Sequence, residues 1–288
     1  RIEQIKSTSL INLKEDLKIY WENFPIAQLT PGKDYLNPEI NLIIDEMIDN
    51  IDKSYFINFL RDWINKKIKS DLSSLTDLKN INTSNASIRA LAYQLYENNG
   101  VVKRENVKEF LKDLSQDDRG ILRKLGVKFG RYHVFLFKLF KPSAVSLRIA
   151  LWKNFHQTYH KLNPPTFGLN FLKEKKEFSK EFMLLCGFEK FDNFFVRIDI
   201  LERLFMKIMS FSKDKNKEIK LIPEMLNLLG CGKEDFLKLI KKMNYTSFSK
   251  DEDIYFKYTP LKNNKKQFSP RVIKKENPFS VLKNINFK

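Results

Sequence analysis

His156 and His160 stand four residues apart, a spacing that turns two imidazoles to one face of a helix and toward one metal ion. No Glu lies between them to act as a general base, and no nearby Cys or carboxylate offers a third ligand. The pair therefore reads as part of a basic helix face, and no structural zinc is expected. His133 sits in an apolar, alternating stretch and reads as a core or ribbon residue. Asp199 and Glu202 lie three apart, and paired carboxylates can do acid–base work. Arg197 and Arg203 beside them favour an ion-pair network at a helix start. NLIIDEM (41–47) has the pattern of a nucleotide-hydrolysing strand that ends in Asp-Glu, a site that also needs a glycine-rich loop with Lys-Ser/Thr to cradle phosphates. The Gly–Lys pairs, Gly32–Lys33 and Gly232–Lys233, are each followed by an acid that would repel phosphate. Asp49 and Asp52 continue at helical spacing, so this segment reads as a surface helix. No catalytic residue, cofactor site or metal site is expected within the chain.

Binding is better supported. From Arg119 to Lys173 there are eleven Lys/Arg and no Asp or Glu. Phe129, Tyr132, Phe135, Phe137, Phe140, Trp152, Phe155, Tyr159 and Phe167 are interleaved with them. Ordinary surfaces mix charge signs, whereas basic residues among aromatics suit a polyanion whose bases can stack. The candidate nucleic-acid contacts are Arg119, Arg123, Lys124, Lys128, Arg131, Lys138, Lys141, Arg148 and Lys153. Many of the aromatics must also be core, and some of the cations a solvated face. The net charge of +17 agrees with an acidic partner, nucleic acid before an anionic membrane. Lys, Asn, Ile and Phe are all abundant, so local clustering carries more weight than the total. The two cysteines, Cys186 and Cys231, exclude a disulfide framework and point to a reducing, cytoplasmic location. No apolar run approaches 18 residues, and no membrane partner is expected.

The elements that must position these residues read as mainly α with short β ribbons, in several small subdomains, at least one of them winged-helix-like. Residues 1–19 read as a charged helix, 21–38 as a proline-bearing loop, and 38–70 as helix from Ile40, Ile43, Met47, Phe56, Leu60 and Ile64. Ser, Thr and Asn around 73–86 mark a loop. A helix follows at 87–99, stopped by Gly100, then short helices at 103–113 and 116–125, the second capped by SQDD. VKFGRYHVFLFKLF (127–140) reads as two strands turning near Gly130–Arg131, and Lys141–Pro142 opens a helix to about 160. The second half repeats this order loosely: helix 174–185, strand near 187–195, amphipathic helix 196–211, then helix–turn–helix around Cys231–Gly232 and a strand pair at 247–258. Helix–turn–helix followed by a β ribbon is the pattern of a winged helix, and 88–140 has the same order. The expected division is 1–85, 86–165, 166–258 and a basic, extended tail at 259–288. Arg1 reads as the start of a cut fragment.

Several segments together resemble one family: WENFPIAQLTPGKDYLNPEI (21–40), IRALAYQLYENNGVVKR (88–104), DDRGILRKLGVKFGRYHVFLFKLFKPSAVSLRIALW (117–152), CGFEKFDNFFVRIDILERL (186–204) and NPFSVLKNINFK (277–288). In order and spacing they are similar to the C-terminal region of alphaproteobacterial superfamily-2 DExH-box helicases, relatives of the mitochondrial RNA degradosome helicase. Leu125–Gly130 with Lys141–Pro142, and Arg197, Asp199, Leu201, Glu202, Arg203 and Leu204, match the two most specific patterns, while Phe137 stands where that family has proline. The resemblance implies a monomeric accessory region that binds nucleic acid, RNA favoured over DNA, beside RecA-like helicase domains that hold ATP and magnesium. It supplies no catalytic residue here. The alternative is a stand-alone module that docks a protein or ribonucleoprotein partner.

Overall fold

The computed structural model describes residues 10–44, 50–157, 162–175, 178–211 and 218–260. The 45–49 part of the Asp-Glu segment, His160 and the tail beyond 260 lie outside them. Helix and strand are mixed throughout, and the expectation of a mainly helical chain fails first at the N-terminal end. Strands β1 (Ile11–Leu13), β2 (Lys18–Trp21), β3 (Phe24–Thr30) and β4 (Glu39–Leu42) form an antiparallel meander where a helix and a loop were expected. The β1–β2 and β2–β3 turns carry no glycine to announce them: Leu17 and Glu22 adopt φ of 65° and 53° themselves. Pro25 lies on β3 beside the irregularity where Tyr20 pairs with Pro25 but Ile19 pairs with Ala27. A bulge tolerates a residue that has no N–H. Ile26 and Ala27 are both buried there, so period-two alternation is lost.

The helical register expected from Ile40 holds only further on. Helix α1 (Asn50–Asp71) buries Phe56, Leu60, Ile64 and Ile68, spaced by four, and α2 (Ser73–Lys79) follows where a loop was expected. From there three runs follow, the first and third with one element order and the second with one helix fewer between its first two strands. The first is α3 (Ala86–Glu97), β5 (Val101–Lys103), α4 (Lys108–Asp113), α5 (Gln116–Lys124), β6 (Val127–Phe129) and β7 (His133–Leu136). The second is α6 (Pro142–His156), β8 (Phe171–Lys173), α7 (Lys180–Leu185), β9 (Phe188–Phe191) and β10 (Phe194–Arg197). The third is α8 (Ile198–Phe211), β11 (Ile219–Lys220), α9 (Pro223–Leu229), α10 (Lys233–Lys242), β12 (Tyr245–Lys250) and β13 (Asp253–Tyr258). In each, the last strand lies between the other two: β5–β7–β6, β8–β10–β9 and β11–β13–β12, antiparallel throughout. Local caps explain several boundaries. The Asn85 side chain accepts from the amides of Ser87 and Ile88, and Ser115 with Asp118 forms a reciprocal capping box at α5. Among the described residues no helix is long and apolar enough to cross a membrane.

Helix α6 belongs to two cores at once. Leu147 and Leu151 pack with the N-terminal sheet and the first run, while Val145, Ile149 and Trp152 pack with Phe182 and Phe195 of the second. Between those stripes Arg148 is fully buried. Its guanidinium donates to the carbonyl of Asn99 at 2.7 Å, of Leu185 at 2.6 Å and of Leu139 at 3.4 Å. Burial pushes its pKa down to about 10, which still leaves it charged at neutral pH. A planar fork with several donors can hold carbonyls from different elements, and a lysine ammonium keeps the desolvation cost without that reach. Arg148→Lys is therefore expected to destabilise the chain by about 2–3 kcal/mol; a urea midpoint unchanged from the wild type would contradict this.

Candidate nucleic-acid interface

The two sequence patterns that lie farthest apart meet in space. The buried Glu202 carboxylate, on α8, enters the turn between β6 and β7. It accepts the backbone N–H of Arg131 at 2.5 Å, of Tyr132 at 2.9 Å and of His133 at 2.7 Å. His133 Nδ1 lies 3.0 Å from the same carboxylate. Gly130 is required by this approach: a Cβ there would stand 2.4 Å from the Glu202 carboxyl carbon. On the other side of the ring His133 Nε2 is 3.4 Å from Glu189, whose second oxygen takes Lys103 Nζ at 2.8 Å. A chain of polar groups thus runs from the Arg131 amide through Glu202, His133 and Glu189 to Lys103.

Arg131, His133, Glu189 and Lys103 of that chain line a cleft of about 810 Å³ where all three runs meet. Lys103, Arg104, Lys108 and Arg131 come from the first run, Lys190 from the second and Lys242 from the third. Three acids face the same space, and two are already engaged: Glu189 by Lys103 and His133, Asp192 by Lys242 at 2.8 Å. Lys190 reaches Glu174, and Arg104 donates to the Gly130 carbonyl at 2.8 Å. Among the described residues Lys108 and Arg131 have no ion-pair partner. The Arg131 guanidinium lies over Tyr258, 5.8 Å from the ring centroid, and Tyr258 is 44% exposed. Cations beside an open aromatic face are what a nucleic-acid strand needs for its phosphates and bases.

The nine cations expected to make contact are split. Arg131 is in the cleft. Arg123, Lys124, Lys128, Lys138 and Lys141 are exposed elsewhere on the first run and its exit, with Arg123 over Phe129 and Lys128 over Phe137. Two are buried. Arg148 is spent on backbone carbonyls, and Lys153 is 7% exposed against a small cavity lined by Leu147 and Ile149, where burial pulls its pKa down. Arg119 donates to the carbonyls of Leu111 and Leu114, closing the end of α4. The sequence reading missed Lys103, Arg104, Lys108, Lys190 and Lys242. They sit among Glu105, Asp192 and other acids in the chain, so no run of one sign marks them.

Arg197 and Asp199 form the expected ion pair, bidentate at 2.7 Å, whereas Glu202 serves the distant turn. His133, read as a core or ribbon residue, is buried on β7. His156 leans on Trp152 and Phe155, and among the described residues no group of three His, Cys, Asp or Glu is arranged to hold a metal ion. The chain matches no protein-family model, no curated protein and no solved structure. Its function is argued from this geometry.

Burial opposes a charged His133, and the hydrogen bonds to Glu189 and Glu202 outweigh it, so the pKa lies above that of an ordinary histidine. Burial likewise opposes a charged Glu189, and His133 and Lys103 outweigh it, so that pKa lies below the usual value. The His133 contribution to stability is thus fully present below its unfolded value of about 6.5 and fades as pH rises through the folded value. The Glu189 contribution is present above its unfolded value and fades on acidification. As pH rises above about 6.5, stability of the wild type is expected to fall more steeply than that of His133→Gln; parallel curves in urea titrations would contradict it. Gly130→Ala is expected to cost about 2–4 kcal/mol by displacing the buried carboxylate from its donors, and an unchanged melting temperature would refute the assigned contact.

Proposed function

We propose that this chain is a nucleic-acid-binding accessory region of an ATP-dependent superfamily-2 helicase, with ATP and magnesium held by separate RecA-like domains. Its first and third runs are read as winged-helix-like units. Helix, strand, two helices and a two-strand ribbon, with the last strand central, is the order a winged helix has. The single observation that carries the binding reading is the cleft: six Lys/Arg and three acids face it, two of those acids are already engaged, and an exposed tyrosine stands at its side. A strand entering there would meet Lys108 and Arg131 as unpaired cations and Tyr258 as a platform for a base. RNA is preferred over DNA on the family resemblance alone, and so is a monomeric state; a cytoplasmic setting rests on the low cysteine count.

The placement of the cations supports a division of labour within the basic stretch. Arg123 and Lys124 lie on the exposed face of α5, whereas Arg131 lines a concave surface where several groups can reach one backbone. Each phosphate neutralised on a single strand contributes about −0.7 to the slope of log K against log salt. Lys108→Ala with Arg131→Ala is therefore expected to weaken filter binding of single-stranded RNA of any sequence and to reduce the slope by about 1.4. Arg123→Ala with Lys124→Ala is expected to change it less. Loss confined to the Arg123/Lys124 variant would move the site to the helix face, and no binding by the wild type would overturn the reading.

A further inference from the structure

We infer that Glu202 is a positioning residue for the cleft: from the third run it sets the turn that presents Arg131 to a phosphate, so one run's grip depends on another run's helix. The inference rests on the nucleic-acid reading of the cleft and adds a residue that does not itself reach the ligand.

The geometry supports this in three ways. Glu202 is 4% exposed, so its carboxylate cannot serve as a contact. Its oxygens take the amides of Arg131, Tyr132 and His133 and the His133 ring nitrogen, which holds three consecutive backbone N–H groups from the turn into β7. With its acceptor capacity directed at these donors, the carboxylate makes no ion pair with the Arg131 guanidinium, which is exposed and lies instead over Tyr132 and Tyr258. The buried acid thus fixes the arginine's backbone without pairing with its charge. Arg104 adds a second hold on the same turn through the Gly130 carbonyl. A contact whose backbone is held before the ligand arrives loses less conformational freedom on binding.

The test is a double-mutant cycle in the full chain, read by binding of a single-stranded RNA oligonucleotide across salt. If Arg131 neutralises one phosphate, Arg131→Ala weakens binding about eightfold at 50 mM salt and about threefold at 200 mM, with a slope smaller by about 0.7. Glu202→Gln keeps the shape but loses the charge and turns an N–H toward the amides. It is expected to show the same two losses and the same change of slope. Combined with Arg131→Ala it is expected to cost nothing more. An upfield shift of the Arg131 amide proton in Glu202→Gln reports the lost hydrogen bond without reference to binding. If Glu202→Gln does not fold, Glu202→Asp, which keeps the charge but withdraws it by one methylene, is expected to give the same pattern. Wild-type binding and slope in a folded Glu202 variant, or losses that add to those of Arg131→Ala, would overturn the positioning role and leave the cleft reading intact. No RNA binding by the wild type would overturn both.

Discussion

The first run is tied to the third by a carboxylate inserted into a turn. Glu202 takes its donors from consecutive residues of the β6–β7 turn. A buried carboxylate is costly to desolvate, and only full hydrogen bonding offsets that. The donors are in place because Gly130 leaves room for the acid and because Gly130 and His133 are joined across the ribbon by a 2.8 Å backbone bond. No linker separates β10 from α8, since Arg197 ends the strand and Ile198 begins the helix. Fixing Glu202 therefore also fixes the second sheet against the first run.

Arg148 is the complementary tie. Glu202 collects backbone N–H groups, and Arg148 supplies N–H to backbone carbonyls that the ends of α3, the turn after β7 and α7 leave unpaired. Helix termini expose such carbonyls, and a buried terminus needs a donor from elsewhere. Each tie thus answers an unmet backbone need at a junction between runs, which is why neither residue could be replaced by one of the same charge and a different shape. The aromatic contacts follow the same junctions: Tyr132 of the first run meets Phe205 of the third edge to face at 4.8 Å.

How much of this could be read in the sequence depends on how local each cause is. Helix α3, the α5 cap, the ribbon turn near Gly130–Arg131, α8 and the α9–α10 pair are written in neighbouring residues, and the reading placed them; the Asn85 cap of α3 was not read. The N-terminal sheet was misread because its signals contradict composition: non-glycine residues take the positive-φ turns, and Pro25 sits beside a bulge. The three first strands, β5, β8 and β11, are two or three residues long and have no period to detect. Of the site, Arg131 was legible as one cation among many, but Arg148 was not separable from it. Only the fold shows that one faces a cleft while the other is sealed between two cores.

Burial also explains how a cleft with acids in it can act as a basic surface. Glu189 lines it and Glu202 is buried behind it, yet each faces inward onto donors, and His133 between them carries its proton more readily than a solvated histidine does. Their charge is answered within the protein, over distances near 3 Å, where attraction is strongest. Asp192 is answered at the rim by Lys242. What is left facing solvent, beside Glu105, is the set of cations with no acid partner, above all Lys108 and Arg131. A charge that has no partner in the free protein gives up no existing ion pair when a phosphate arrives. The buried network therefore determines where the surface is attractive, although none of its acids reaches the ligand: it holds the arginine's backbone in place and withholds the one carboxylate that could have neutralised it.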